Sequence, residues 1–342
     1  MITNFIKHKV RPDDNLSSIA ARINISEKDL KEFHNQHCGK MDKLFVTNLK
    51  GIEFILIPVH FISEEEKKIE QQKLLPSTYY FPKFHFDIYS VEENFEQSES
   101  ENLKFNYKID LKIREEKENI IAEVHIKDVT KNNEIPDDKI SSLALECMKS
   151  LYPISYKISL NGKIESFFKH QSLIKKFKAK RNDIEEFYVG DISKKYLDTF
   201  EEDILDETYF FRQIQSNVLY QILFPNLEWF HKKSAWKEKI YIQINSFPLE
   251  FSFQTEQSFE DSEFVETTVK GMLLENCSFR EFLKGNRIED ENEDLENNID
   301  IEIIIEYFTH KDTKQLHEIK SSVIIWYQNE LFQKHQLQIT HN

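Results

Sequence analysis

Glycine and cysteine are both scarce in this sequence, and each shortage argues against a class of site. Only six glycines occur in 342 residues, and neither the glycine-rich phosphate-binding motifs nor the nucleophile elbow of α/β-hydrolases is present. The three cysteines, Cys38, Cys147 and Cys277, are far apart and form no CxxC pair. This spacing argues against a disulfide framework and a cysteine zinc site. We therefore expect no cofactor and no metal.

Long hydrophobic runs and an excess of positive charge are also missing. No stretch approaches the roughly 20 apolar residues of a membrane span, and the first residues lack the apolar run of a signal peptide. We therefore expect a cytoplasmic protein, with the cell envelope or secretion by a non-classical machine as the alternative. The net charge of −15 repels phosphate backbones, so we expect no nucleic-acid partner.

Aromatic residues are plentiful, with 28 Phe and 13 Tyr, so the chain has enough apolar surface for a sizeable core. Its length suggests about two domains. A charged segment at 63–75, ended by Pro76, marks the boundary between them. We predict an N-terminal module at 1–62, a linker at 63–78 and a larger domain at 79–342.

The N-terminal residues show four apolar patterns in the order strand, helix, helix, strand. The patterns lie at 6–10, 16–23, 26–33 and 54–58. Their residues resemble those of the LysM family over about 6–58. The matching positions are Val10, Asp13-Asp14-Asn15-Leu16, Ile19-Ala20, Leu30, Asn35 and Ile57-Pro58.

The resemblance implies a βααβ fold that binds N-acetylglucosamine-containing glycans such as peptidoglycan or chitin. The family's groove lies between the first strand–helix loop and the loop before the last strand. Mapped onto this sequence, the binding residues are Asp13, Asp14, Asn15, Leu16, Asn35 and His37. The residues themselves leave another interpretation open, in which Asp14 and Asn15 cap the first helix and Asn35 fixes its own loop. Asp13 stands where the family has glycine, and the loop at 36–51 is longer than usual.

The larger domain alternates apolar and polar residues in several segments, which predicts antiparallel strands with one face buried and the other exposed to solvent. We expect strands at 84–88, 104–113, 122–126, 240–244, 249–253 and 299–305, and a last pair at 322–327 and 331–339. Two helical regions, 138–151 and 170–224, interrupt them, and Asn161-Gly162 predicts a hairpin. The acidic stretch 289–298 is expected to be an exposed loop. The fold class is therefore α+β, a LysM-like module followed by a curved antiparallel sheet with packed helices.

No catalytic motif is present, so we predict a non-enzymatic binding or adaptor protein with a protein partner. LysM modules without export signals also occur in phage tails and contractile injection machines, including type VI secretion, and the resemblance suggests an accessory role there. The alternative is a cell-envelope protein that binds peptidoglycan through N-acetylglucosamine. A third hypothesis, an enzyme with its site in the larger domain, is supported only by the abundance of carboxylates.

Overall fold

The computed structural model of the chain describes residues 5–47, 49–59, 64–98, 101–288 and 298–341. The chain divides into two compact units, Met1–Lys73 and Leu74–Asn342. The predicted acidic loop at 289–298 lies outside the described residues except for Asn298. The predicted domain limits at 62 and 79 stay predictions.

The N-terminal unit has the predicted order of strand, helix, helix and strand, followed by one more helix. Its elements are β1 (Phe5–Lys9), α1 (Leu16–Arg22), α2 (Glu27–His37), β2 (Phe54–Pro58) and α3 (Glu64–Lys73). β1 and β2 pair antiparallel with Lys9 opposite Phe54, so the β1–α1 loop and the α2–β2 loop lie at the same end of this ribbon. Leu16, Leu30 and Ile55 are fully buried in a small core between the helices and the ribbon.

The C-terminal unit combines long strands with a helical region in the middle of its sequence. The strands are β3 (Ile88–Gln97), β4 (Leu103–Glu116), β5 (Asn119–Lys131), β6 (Ile154–Ile158), β7 (Ile164–Phe167), β8 (Trp236–Ile240), β9 (Leu249–Ser258), β10 (Phe264–Leu273), β11 (Ile299–His310), β12 (Leu316–Tyr327) and β13 (Glu330–Thr340). The helices are α4 (Lys139–Leu151), α5 (Gln171–Phe187), α6 (Asp191–Leu205), α7 (Glu207–Gln215), α8 (Val218–Leu223), a 3₁₀ helix (Leu227–His231) and α9 (Phe279–Lys284). The predicted α+β class is confirmed.

The eleven strands among the described residues of the C-terminal unit form one antiparallel sheet in the order β7-β6-β5-β4-β3-β13-β12-β11-β10-β9-β8. The edge strands β7 and β8 belong to opposite ends of this order, yet Lys163, just before β7, forms an ion pair with Glu238 of β8. Ten strand spacings of about 4.8 Å would separate these edges by about 48 Å in a flat sheet. The sheet is therefore curved until its two edges approach each other.

The inner face of the curve packs on the helical region. The Tyr220 ring of α8 lies 5.5 Å from that of Tyr156 on β6, and the Phe230 ring of the 3₁₀ helix lies 5.2 Å from that of Tyr307 on β11. Strands far apart in the sheet thus meet the same short helical segment. Their buried side chains join in one core.

Two predicted strands are wrong in part. The strand predicted at 84–88 begins only at Ile88, because Phe84 lies in a turn and its apolar side chain packs into the core from there. The strand predicted at 240–244 ends at Ile240. Beyond it, the Gln221 side chain takes over the backbone hydrogen bonds of Tyr241, at 2.9 and 3.1 Å.

Strand β10 was not predicted, because its acidic start at Glu263 and Glu266 is typical of a solvated segment. Its Val265 and Val269 are fully buried on the inner face of the sheet. Within the described residues, no helix has both the length and the apolar character needed to cross a membrane.

Candidate functional site

Asp14 shapes the β1–α1 loop, and its side chain is only 2% exposed. Its carboxylate accepts hydrogen bonds from the backbone N–H of Arg11, at 2.9 Å, and from the Arg22 guanidinium, and it lies 3.3 Å from Nε2 of His8. The Arg11 amide, followed by the Arg22 guanidinium, lowers the pKa of Asp14 from 3.8 to about 2, because both donors favour the charged carboxylate. Asp14 therefore holds the loop in shape and does not cap the helix.

Asn15 caps α1, so the capping interpretation is confirmed for this residue. Its Oδ1 accepts from the Ser18 backbone N–H at 2.8 Å, and Ser18 Oγ accepts from the Asn15 backbone N–H at 3.0 Å. This reciprocal pair is a capping box. Leu16 is fully buried, so its side chain has no surface to offer a ligand. Asp13 is exposed.

Asn35 closes the α2–β2 loop, as the alternative interpretation proposed. Its amide donates to the Leu44 carbonyl at 2.9 Å, and its Oδ1 accepts from the Leu44 N–H at 2.7 Å. His37 is exposed at the end of α2, where its Nδ1–H donates to the Phe33 carbonyl at 2.8 Å and its ring stacks on the Phe33 ring. Of these two predicted site residues, His37 is exposed and Asn35 is partly buried.

His34 ties three segments of the N-terminal unit together, a role that the sequence analysis missed. Its buried ring accepts a hydrogen bond from the Leu56 N–H of β2 at Nδ1, at 3.0 Å. Its Nε2–H donates to the Asp42 carbonyl in the α2–β2 loop, at 2.9 Å. The one signal of this role in the sequence was the position of a histidine on the apolar face of a helix. It indicates burial but does not identify the two partners.

Three large apolar side chains of the α2–β2 loop point into solvent. Met41 is 96% exposed, Phe45 83% and Val46 64%. The loop is nevertheless anchored, because Leu44 and Leu49 are buried in the core on either side of Phe45 and Val46. An anchored loop that exposes apolar side chains is a typical contact surface.

A cleft of about 530 Å³ lies between this loop, the end of α2 and the β1–β2 ribbon. Lys7, His37, Cys38, Met41 and Phe54 are among the residues that line it. Its size falls within the range of small-ligand pockets, about 300–1,000 Å³. Among the residues that the structure describes, no group of three or more His, Cys, Asp or Glu side chains could hold a metal ion.

Residues 8–33 match the LysM domain family. The N-terminal unit is thus similar to LysM domains over these residues. The match spans the last two residues of β1, the β1–α1 loop, α1 and most of α2, and it ends before the α2–β2 loop. A LysM domain suggests binding of a peptidoglycan- or chitin-type glycan. The N-terminal unit presents Asp13, His37 and the three apolar loop side chains to solvent.

No curated protein matches the sequence. One solved structure, described as "lipid-protein interactions in lipovitellin", matches with a TM-score of 0.36 and 9% identity. That match covers 74% of this chain, and this chain spans only 24% of that one. Similarity at this level carries no argument about the C-terminal unit.

Proposed function

We propose that the LysM domain binds a glycan that contains N-acetylglucosamine, and that the sugar chain lies along the α2–β2 loop. The LysM match is the observation that carries this proposal. Phe45 and Val46 offer the apolar surface that an acetamido methyl group needs. Asp13, in the β1–α1 loop, and His37, the last residue of α2, supply exposed polar side chains.

In this proposal, backbone N–H and C=O groups of the loops make most of the remaining polar contacts with the sugar. The side chains of Asp14, Asn15 and Asn35 already bind partners within the domain. A sugar hydroxyl that took one of them would have to replace a hydrogen bond that holds the loop in shape. We therefore assign the specificity for the glycan to the surface of the α2–β2 loop around Phe45.

The experiment is a pull-down of the full chain on insoluble peptidoglycan and on chitin. Phe45→Ser is the site variant, and Ile69→Ser is its matched control, since Ile69 is also exposed and lies on α3, outside both loops. We expect the wild type and Ile69→Ser to be retained and Phe45→Ser to be lost. If the wild type is retained on neither glycan, the proposal is wrong. Asn15→Ala is unsuitable as a site variant because it removes a helix cap.

A second candidate function is a non-enzymatic adaptor that binds a protein partner through the same loop. The observation that favours it is the apolar character of Met41, Phe45 and Val46, which suits a protein surface as well as a sugar. Capture of one protein by the wild type and Ile69→Ser, but not by Phe45→Ser, would support it. The accessory role in a contractile injection machine stays a prediction that no match supports, and the absence of enzymatic activity and the cellular location also stay predictions.

A further inference from the structure

The C-terminal unit exposes a cluster of large apolar side chains where α4, α5 and α6 come together. Ile140 is 62% exposed, Phe187 78%, Val189 71% and Ile192 77%. We call these four residues the α5–α6 patch. Three of them lie within six consecutive residues, which is unusual for a turn between two solvated helices.

The α5–α6 patch is held in a defined shape. The Lys139 ammonium, next to Ile140 in α4, donates to the Val189 carbonyl at 2.6 Å. The Tyr188 N–H donates to the Ile184 carbonyl at 2.9 Å, which continues α5 to its last turn. The patch is therefore a continuous surface on ordered backbone and not a loose loop tip.

The exposed apolar area of the patch is on the order of 500 Å², near the upper end for the largest patch on a monomer. A stable interface buries about 800 Å² on each partner. The patch therefore supplies more than half of the area that one side of an interface needs, and polar residues around it would have to supply the rest.

A cleft of about 500 Å³ opens beside Phe187, between α4 and α5. Lys149, Lys180 and Asp183 are among its polar lining residues, and Ile184 adds apolar surface. One face thus carries both a projecting aromatic ring and a cleft able to receive such a ring. A face of this kind is self-complementary, as a two-fold symmetric contact between identical chains requires.

The local charge also permits two copies to meet. The whole chain carries −15, which opposes self-association. Residues 180–195 nevertheless carry four basic and four acidic side chains, so this segment has no net charge. Its pairs, such as Lys180 with Asp183 at 3.5 Å, place both signs around the cleft.

We propose that a second copy of this chain docks on the α5–α6 patch, with Phe187 of each copy entering the cleft of the other. The contact is isologous, and it does not depend on the LysM domain or on a glycan. The two Phe187 rings are its anchors, because each is the most exposed apolar side chain of the patch.

The test is the molar mass of the full chain by sedimentation equilibrium over a wide range of concentration. We expect a reversible dimer at twice the chain mass of 41.0 kDa. Phe187→Asp should raise the dimer dissociation constant by about thirtyfold or more, as loss of an anchor residue does. Leu160→Asp is the matched control, since Leu160 is 72% exposed, lies in the β6–β7 turn and takes the same change of charge. Circular dichroism of each variant confirms that the fold is kept.

A wild-type chain that stays at 41.0 kDa throughout would overturn the proposal. So would a dimer that Phe187→Asp leaves intact, because another face would then form the contact. Equal weakening by Phe187→Asp and Leu160→Asp would overturn it too, since a general effect of charge would then explain the loss. Capture of a different protein by a monomeric chain would assign the patch to that partner instead.

Discussion

Acidification should destabilise the C-terminal unit through one buried histidine. His85 lies between Tyr80 and Leu223, where its Nδ1 accepts from the Tyr80 hydroxyl at 2.7 Å and its Nε2–H donates to the Leu223 carbonyl at 2.7 Å. The carbonyl can only accept, so the proton of the neutral ring is on Nε2. Burial lowers the pKa of His85 from 6.5 to about 4, although the Leu223 carbonyl partly opposes this.

The sign of the pH effect on stability follows from the protonation of His85 in the folded and the unfolded chain. A histidine in the unfolded chain takes up its proton as the pH falls through about 6.5, whereas His85 in the folded chain stays neutral until about pH 4. Stability is therefore lost as the pH falls from 6.5 to 4 and is unaffected by His85 above that window. At about 1.4 kcal/mol for each pH unit, the loss is about 3 kcal/mol.

Urea unfolding followed by tryptophan fluorescence measures this loss, because Trp229, Trp236 and Trp326 all lie in the C-terminal unit. The matched variant is His85→Gln, whose amide offers an oxygen acceptor and an NH₂ donor group but does not titrate. Between pH 7 and pH 4 the wild type should lose about 3 kcal/mol more than His85→Gln. The other histidines are present in both proteins, so their contributions to the change in unfolding free energy cancel in the comparison. Equal losses in the two proteins would refute the argument.

Three further predictions concern single side chains. Asn15→Ala should destabilise the N-terminal unit by about 1 kcal/mol by removing the cap of α1, and Asn15→Asp should keep most of it, as measured by hydrogen exchange of the α1 amides. Gly271→Ala should cost the C-terminal unit about 1–3 kcal/mol in urea unfolding, because its Cβ would press on the Phe253 ring, and Phe253→Leu should relieve part of the loss. The N-terminal unit should lose stability as the pH falls from 3.8 towards 2, where Asp14 is protonated, and Asp14→Asn should show a smaller change in its amide exchange over that range.

The regular patterns of the sequence predicted most of the fold. Alternation at 104–113 and at 299–305 identified β4 and β11, and Asn161-Gly162 identified the β6–β7 hairpin, where Gly162 has a φ of 97°. These segments were predictable because a strand with one buried face must alternate its side chains. The pairing of β3 with β13, at the centre of the sheet, was not predictable, since it joins the two ends of the unit's sequence.

The candidate site was predictable in outline but not in the use of its side chains. Local spacing predicted a cap of α1 at Asp14 or Asn15, and the structure shows that Asn15 provides it. The helix stripe also predicted a buried position for Leu16. The contact of Arg22 with Asp14 and that of His34 with Leu56 join residues that local periodicity does not relate. Such tertiary hydrogen bonds decide which polar groups remain for a ligand, and only coordinates reveal them.

The contacts of Asp14, Asn15 and Leu16 show that a match to the LysM pattern identifies a fold more directly than a ligand. Asp14 locks the first loop, Asn15 caps α1 and Leu16 fills the core, so the residues within the match at 8–33 mainly maintain the fold. The exposed side chains Phe45 and Val46 lie beyond the match. A chain can therefore keep the LysM fold while its α2–β2 loop changes ligand, because the two depend on different residues. Binding to Phe45 therefore tests the function, whereas variants of the matched residues would mainly test the fold.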